Sequence, residues 1–517
     1  MKRFRIVSIL WCAVWGLAST DATAKDWIKA ESEHFVAFSD IGETRTRDYL
    51  RELESFKFLA EMLLGSSRQS AVSAAKFTMY FLSDNKMLDV VRPGLSKNYA
   101  GVYFHCSEGA LNFGVMQETM DSSNGDPALV IAQHEYAHHL MFSHLAYFVP
   151  RWYVEGFADY LSTVVLRRGK FDVGAGNGGR IYTLTDQRGW IDFRILLDTK
   201  KYMEQLKNKK VDEDRFYAQS WLLTHYMLAD SDRTKAFNQY FEKVGRGGDP
   251  IATFESTTGI EVNKLESILK RYYTKLALLR VGVPEIPESS IVISKLASEQ
   301  NDYILENAAL QTCPNQDQGK QILEKLRAMR NKHAKEIEFR LTIARAELLY
   351  GDNAALRADL EDLVLADPLN FTAHYLLGRT YFEISNSKNT EADLLERAKQ
   401  ELINAYKLDK FNAPNMYYLA RTLNATNEGD APSKSLANAA SGATYLMRSV
   451  YEYAILAADI SMRSGNREQA IRSLQPFACN PHNPTQAAGV SRIIAALSNG
   501  KSFFDAMNTY NDTSDQN

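Results

Sequence analysis

The chain has 517 residues, of which 45% are hydrophobic and 24% are charged, so it has the composition of a folded protein with room for at least two domains. Disorder along the whole chain is excluded by this balance. The formal net charge of −3, with no long basic run, makes nucleic acid a poor partner.

The N-terminus has the three regions of a secretory signal peptide. Three basic residues precede an apolar run at residues 6–17, and a small, polar stretch ends at Ala24. The run is shorter than the roughly 20 residues that a membrane-spanning helix needs. We therefore expect cleavage after Ala24 and an exported chain, periplasmic or secreted, without a stable membrane anchor. Its formal net charge is then about −5, since three positive charges and one negative charge are removed.

Three cysteines follow this segment: Cys106, Cys313 and Cys479. They lie far apart, and none has the close spacing of a cysteine zinc site. One disulfide at most would leave a free thiol in an oxidising compartment. The interpretation favoured at this point is buried, unpaired cysteine, with the alternative of one disulfide left open.

Residues 25–286 mix short strands and helices. Aromatic and β-branched runs at residues 35–38 and 77–81 predict strands. Apolar residues at helical spacing predict a helix over residues 47–64, with Gly65 as a C-cap. This half of the chain contains the candidate catalytic and metal-binding residues.

Residues 134–138 read His-Glu-Tyr-Ala-His, and a helix is predicted there because Asp126 is a good N-cap and Pro127 suits the first turn. Histidines at positions i and i+4 share one face of a helix, so His134 and His138 can reach one metal ion. Glu135 then lies near that metal. A Lewis acid beside a carboxylate is what metal-assisted hydrolysis requires.

A second predicted helix, opened by Pro150, carries Glu155, which follows His138 by 17 residues. If this helix folds back beside the first, Glu155 completes two histidines and one carboxylate and leaves a fourth position for water. Asp159, one turn later, can accept the remaining ring N–H of a ligand histidine.

These segments resemble the gluzincin branch of zinc metallopeptidases, the peptidase MA-like superfamily that includes thermolysin and the zinc aminopeptidases. The residues that match are the His134-Glu-x-x-His138 motif and the Glu155-x-x-x-Asp159 pair. Residues 150–158 also look like the P-x-W-x-x-E-G-x-A pattern of uncharacterised bacterial members. The resemblance covers about residues 26–286.

The resemblance implies one Zn²⁺ per chain, held by His134, His138 and Glu155, and peptide or protein substrates. It implies that Glu135 acts first as base and then as acid while water attacks a carbonyl. Asp159 would be the partner of a ligand histidine.

Such enzymes need a donor for the developing oxyanion, and the family often places a tyrosine or histidine after the metal ligands. Tyr217, in a segment that resembles the "Y-A-Q-S-W" helix of related proteins, is the candidate, and His225 is its rival. Gluzincins bind peptides along an edge strand, which residues 110–115 are expected to provide. The glycine cluster at residues 174–180 lacks the features of a phosphate loop and predicts a flexible loop beside the cleft.

Prolines at 284 and 287 indicate a domain boundary, after which residues 287–507 are rich in helix-forming residues with almost no strand signal. Residues 376–381, a second helix at 398–408 and the following Pro414 resemble a tetratricopeptide repeat. A further unit runs through residues 451–481, and an insertion near residues 385–390 is needed because the spacing exceeds the usual period. A plain helical domain is the alternative, and a polar tail follows at residues 508–517.

The sequence thus predicts an α+β fold: a gluzincin-like zinc peptidase domain followed by an all-α tetratricopeptide-like domain. The repeats would bind substrate or a protein partner. Two alternatives are a catalytically inactive zinc-fold scaffold or binding protein, and a zinc amidase that acts on a non-peptide substrate of the cell envelope.

Overall fold

The computed structural model describes residues 26–511 except residues 65–75, 98–100, 117–126, 145–148, 168, 177, 187, 288–289, 387–392, 428, 430 and 479–482. The predicted signal peptide, the caps Asp126 and Gly65, and Cys479 lie outside the described residues. Most of the predicted insertion and the end of the polar tail do so as well. Among the described residues the fold mixes α and β elements, with helices predominating, as predicted.

Nine strands are seen in the described part of the chain. They are β1 (Ile28–Glu31), β2 (Phe35–Ser39), β3 (Phe77–Leu82), β4 (Gly101–Cys106), β5 (Gly109–Val115), β6 (Val165–Arg167), β7 (Lys170–Val173), β8 (Leu279–Gly282) and β9 (Val292–Lys295). Strands β2 and β3 confirm the two predicted from the aromatic runs.

The helices that precede residue 311 are α1 (Glu43–Leu63), α2 (Met87–Val91), α3 (Pro127–His144), α4 (Arg151–Ser162), α5 (Gly178–Thr185), α6 (Phe193–Leu196), α7 (Thr199–Lys207), α8 (Glu213–Leu228), α9 (Ser231–Gly245), α10 (Pro250–Thr258), α11 (Leu265–Tyr272) and α12 (Ile304–Leu310). Helix α1 confirms the helix predicted over residues 47–64. The predicted flexible loop is wrong in part, because α5 begins inside the glycine cluster.

The later helices are α13 (Gln316–His333), α14 (Ile337–Tyr350), α15 (Asn353–Ala366), α16 (Phe371–Asn386), α17 (Leu394–Leu408), α18 (Ala413–Ala425), α19 (Lys434–Leu446), α20 (Tyr451–Arg463), α21 (Arg467–Leu474), α22 (Pro484–Ser498) and α23 (Phe503–Met507). Helices α16, α17, α20 and α21 match the predicted repeat helices. None of the described helices has the length and apolarity to cross a membrane.

A six-stranded sheet has the order β4-β5-β3-β2-β1-β9. β2, β3 and β5 pair in parallel, whereas β4–β5, β1–β2 and β1–β9 pair antiparallel. Helix α1 buries Leu50, Leu53 and Phe56 in the core cluster that also holds Phe35 and Tyr136. Helices α1 and α3 therefore lie against the sheet, and α3 also contacts β4 and β5.

Strand β9 lies inside residues 287–507, which were predicted to be all-α. It pairs with β1, and Leu305 and Ala308 of α12 pack with Trp27 and Tyr80. The chain therefore returns to the sheet after Pro287 before it enters the helical half. A four-residue strand with mostly exposed side chains has too weak a periodic pattern to be recognised from sequence.

The helical half is a series of short-looped helices, each packed against the next from α13 to α22. Gly378 shows why neighbouring helices approach so closely. A Cβ at this position would lie 2.7 Å from Cγ of Leu402 on α17, so a larger residue would push α16 and α17 apart. These pairs form the repeated unit of the domain.

Cys106 and Cys313 form a disulfide across 207 positions of sequence. It joins the end of β4 to the segment that follows α12. The favoured interpretation of these two residues as unpaired cysteines is therefore wrong. The pairing depends on how the helical half folds back on the sheet, which no local spacing records.

Candidate metal centre

The predicted ligands come together at one point between α3 and α4. Nε2 of His134 lies 3.1 Å from Nε2 of His138. Oε2 of Glu155 lies 3.5 Å from Nε2 of His138 and 3.8 Å from Nε2 of His134. Two ligand atoms each 2.0–2.1 Å from a tetrahedral zinc ion are about 3.3 Å apart, so the three atoms have the spacing that a zinc site needs.

Two neighbouring helices hold α4 in place. Trp152 is fully buried and its ring lies 5.5 Å from that of Phe237 on α9. Gly156 allows α8 to approach, because a Cβ there would lie 2.4 Å from the backbone oxygen of Ser220. The Trp-x-x-Glu-Gly pattern therefore has a structural reason: it packs α4 tightly enough to fix Glu155, which is buried.

A second carboxylate orients the first histidine. Oδ1 of Asp159 lies 3.2 Å from Nδ1 of His134. Nε of Arg180 donates a hydrogen bond of 2.7 Å to Oδ2 of the same carboxylate. The chain Arg180–Asp159–His134 fixes the ring so that Nε2 faces His138 and Glu155. Arg180 was missed at the sequence level, because it reaches Asp159 from α5 and no short spacing links the two.

The site is electrostatically suited to a cation. Burial alone would lower the pKa of His134, but the hydrogen bond with Asp159 and the charges of Asp159, Glu135 and Glu155 raise it to about 9. The field of these carboxylates favours positive charge at this point, whether it is a proton or a metal ion. His134, His138 and Glu155 are the cluster of the described residues that could hold a metal ion.

Glu135 differs from Glu155 in its surroundings. It is partly exposed, whereas Glu155 is buried. Burial raises the pKa of Tyr103 on β4, and the charge of Glu135 adds to that rise; the same charge acts on His134. The negative charge of Glu135 thus acts on both His134 and Tyr103, and its side chain is partly exposed to solvent.

The two candidate oxyanion donors differ clearly. The guanidinium of Arg180 lies 5.0 Å from the ring centre of Tyr217, and burial together with the charge of Glu155 raises the pKa of the Tyr217 phenol. His225 is instead bound away from the site, with Nδ1 at 2.8 Å from the hydroxyl of Tyr272 and Nε2 at 3.0 Å from the oxygen of Gly174. Of the two, Tyr217 is the one that contacts Arg180, the partner of Asp159.

The prediction that residues 110–115 form an edge strand for substrate is wrong. Residues 110–115 lie in β5, which is bonded on both sides, by β4 and β3. The edge of the described sheet beside α3 is β4, where a Cβ on Gly101 would meet Ile131 of α3 at 2.4 Å. The hydroxyl of Tyr103 lies 3.3 Å from Nδ1 of His139, the residue after the second ligand. An edge position depends on strand order, which sequence does not give.

Comparisons with known proteins add little to this geometry. No protein-family model matches the chain, and no curated protein matches it significantly. Among solved structures, a thermophilic TPR protein of Thermus thermophilus is similar over 39% of this chain and 99% of its own length, with 16% identity and a TM-score of 0.31. So small a likeness carries no argument. The resemblance to gluzincins rests on the sequence motifs at residues 134–159 alone.

Proposed function

We propose that the chain is an exported zinc-dependent hydrolase that cleaves peptide bonds. The observation that carries the proposal is the convergence of His134, His138 and Glu155, whose ligand atoms all lie within 4.8 Å of one another. A bound zinc ion would act as a Lewis acid and make the attacking water more acidic. Three protein ligands with an open fourth position are typical of catalytic zinc.

The protein's own residues then perform the proton transfers. Glu135 accepts a proton from the attacking water as the water oxygen bonds to the carbonyl carbon. Tyr217 donates a hydrogen bond to the oxygen of that carbonyl, where negative charge develops. Glu135 delivers its proton to the leaving nitrogen as the C–N bond breaks. The partial exposure of Glu135 favours this role over the inactive-scaffold alternative, since a scaffold has no need of an accessible base.

Export is supported by the disulfide between Cys106 and Cys313, because such bonds persist in oxidising compartments. The helical half is proposed to bind substrate or a protein partner. A cavity of about 780 Å³ supports this, and it is lined by residues of α16, α18, α20 and α23, among them Tyr417, Arg421 and Ile455.

The test combines metal content with peptide hydrolysis. Wild-type protein is expected to hold one zinc ion per chain, and Glu135→Gln is expected to keep the zinc while losing activity about 10²–10⁴-fold. Glu242→Gln, which removes a surface carboxylate bound to Arg246, is the matched control and is expected to keep full activity. Zinc absent from wild-type protein, or full activity in Glu135→Gln, would refute the proposal.

A further inference from the structure

The turn of the β4–β5 hairpin is embedded in the helical half of the molecule. Cys106 forms the disulfide with Cys313, and the hydroxyl of Tyr453 donates a hydrogen bond of 2.9 Å to the backbone oxygen of Ser107. A Cβ built on Gly109 would lie 3.9 Å from Pro414. Each of these turn residues therefore touches the helical half.

Glu108, between them, makes a buried ion pair with the helical half. Its carboxylate accepts a hydrogen bond of 2.7 Å from Nη1 of Arg379 and lies 3.4 Å from Nη1 of Arg345. Arg379 is fully buried and also donates to the hydroxyls of Tyr375 and Tyr418. A buried guanidinium needs such a partner, because an uncompensated charge in the interior is strongly unfavourable.

Residues of the helical half that surround the turn lie on the first helices of successive helix pairs. Arg345, Arg379, Tyr418 and Tyr453 belong to α14, α16, α18 and α20, the first helices of four successive pairs. In stacked helical repeats, the same helix of each successive unit contributes to one extended surface. Here part of that surface is covered by a segment of the same chain. The cavity lined by Tyr417 lies next to it, because the ring centres of Tyr417 and Tyr453 are 4.6 Å apart.

The same contacts reach the metal centre through β4. Ser449, in the connection from α19 to α20, lies near the side chains of Tyr103 and His105: it opposes the rise that burial causes in the pKa of Tyr103, and its backbone opposes the fall that burial causes in the pKa of His105. Tyr103 in turn contacts His139 on the helix of the metal ligands. The helical half thus holds β4 at its turn and approaches it again at Ser449, near Tyr103 and His105.

We propose that the inner surface of the helical repeats is a docking site for the chain's own β4–β5 turn, and that Glu108 is a positioning residue for the edge strand beside the metal centre. The docking is independent of zinc chemistry. Its consequence, that substrate binding depends on the repeats, rests on the proposed function. The repeats then act on substrate by placing β4, and only the remaining part of their surface is open to a partner.

The test measures hydrogen exchange of the β4 amides in zinc-loaded, full-length protein. Glu108→Gln is expected to raise the undocked population of the turn about a hundredfold, and Tyr453→Phe about fivefold, because these changes remove a buried ion pair and one hydrogen bond respectively. Exchange at residues 101–106 should accelerate accordingly. Peptide KM should rise while kcat stays within about twofold, a split that general destabilisation would not produce.

Glu347→Gln is the matched control. Glu347 is also buried and bound by two arginines, Arg327 and Arg330, in the same helical half. It is expected to leave β4 exchange unchanged even if the melting temperature falls. Unchanged β4 exchange in the two test variants, or equal acceleration in the control, overturns the docking. If Glu108→Gln does not fold, Tyr453→Phe decides.

The outcomes also separate this inference from the proposed function. Faster β4 exchange with an unchanged KM overturns the positioning role while the docking stands. Accelerated exchange in a protein that binds no zinc or cleaves no peptide supports the docking and refutes only the proposed hydrolysis.

Discussion

Replacing Asp159 with asparagine isolates the charge that supports the first metal ligand. The carboxylate lies 3.2 Å from Nδ1 of His134 and accepts a hydrogen bond of 2.7 Å from Arg180. Asparagine has nearly the same shape, so its amide oxygen can still accept from the imidazole. What is lost is the negative charge that makes the ring a stronger ligand and fixes its tautomer.

The expected size of the effect follows from this loss. Removing an outer partner of a ligand histidine weakens metal binding about 10–100-fold, which corresponds to about 1.4–2.7 kcal/mol. The upper end is expected for Asp159, because it is almost fully buried and little water can take its place. His134, His138 and Glu155 all remain, so the variant should still bind zinc, with lower affinity.

The assay is zinc affinity at constant pH, measured by competition with a chromophoric chelator. Asp172→Asn is the control, since Asp172 accepts a hydrogen bond of 2.8 Å from Nε of Arg280 in the same half of the chain but away from the ligands. Zinc affinity should be unchanged in that variant. Wild-type affinity in Asp159→Asn, or equal weakening in both variants, would refute the role assigned to Asp159.

Three further predictions concern the donor, the helix packing and pH. Tyr217→Phe should lower kcat about 10²–10³-fold with little change in KM, while His225→Gln keeps kcat; steady-state peptide kinetics separate the two. Gly156→Ala should destabilise the fold by about 1–3 kcal/mol, seen in thermal unfolding, because its Cβ would lie 2.4 Å from a backbone oxygen of α8. The hydrogen bond with Glu401 raises the pKa of His374. Its charged form therefore stabilises the fold below about pH 6.5, and this contribution is lost as pH rises through the higher folded-state pKa. Melting temperatures across that range should lose this dependence in His374→Gln.

The positions of the proposed metal ligands follow largely from short-range spacing. His134 and His138 are one helical turn apart, so a helix over that segment already places both on one face. Glu155 and Asp159 have the same relation on α4. The step that sequence could not supply is the packing of α4 between α3 and α8, which depends on the fit of side chains such as Trp152.

The contacts that were missed join residues separated in sequence. Arg180 reaches Asp159 from another helix, and the turn at Glu108 reaches Arg379 across 271 positions. Cys106 and Cys313 pair across 207. Strand order also placed β4 rather than β5 at the edge. Such contacts are set by the assembled fold, and a periodic pattern or a local motif does not contain them.

The elements on the two sides of the candidate metal centre are held in place by different parts of the chain. On one side, Glu155 and Tyr217 belong to α4 and α8, which pack directly on each other. On the other side, β4 has one neighbouring strand in the described sheet and is held at its turn by Glu108 and the helical half. The proposed catalytic and metal-binding groups are therefore held within the first half of the chain, whereas the edge strand β4 depends in part on the second. A perturbation of the helical half should accordingly act on substrate binding before it acts on the chemical step.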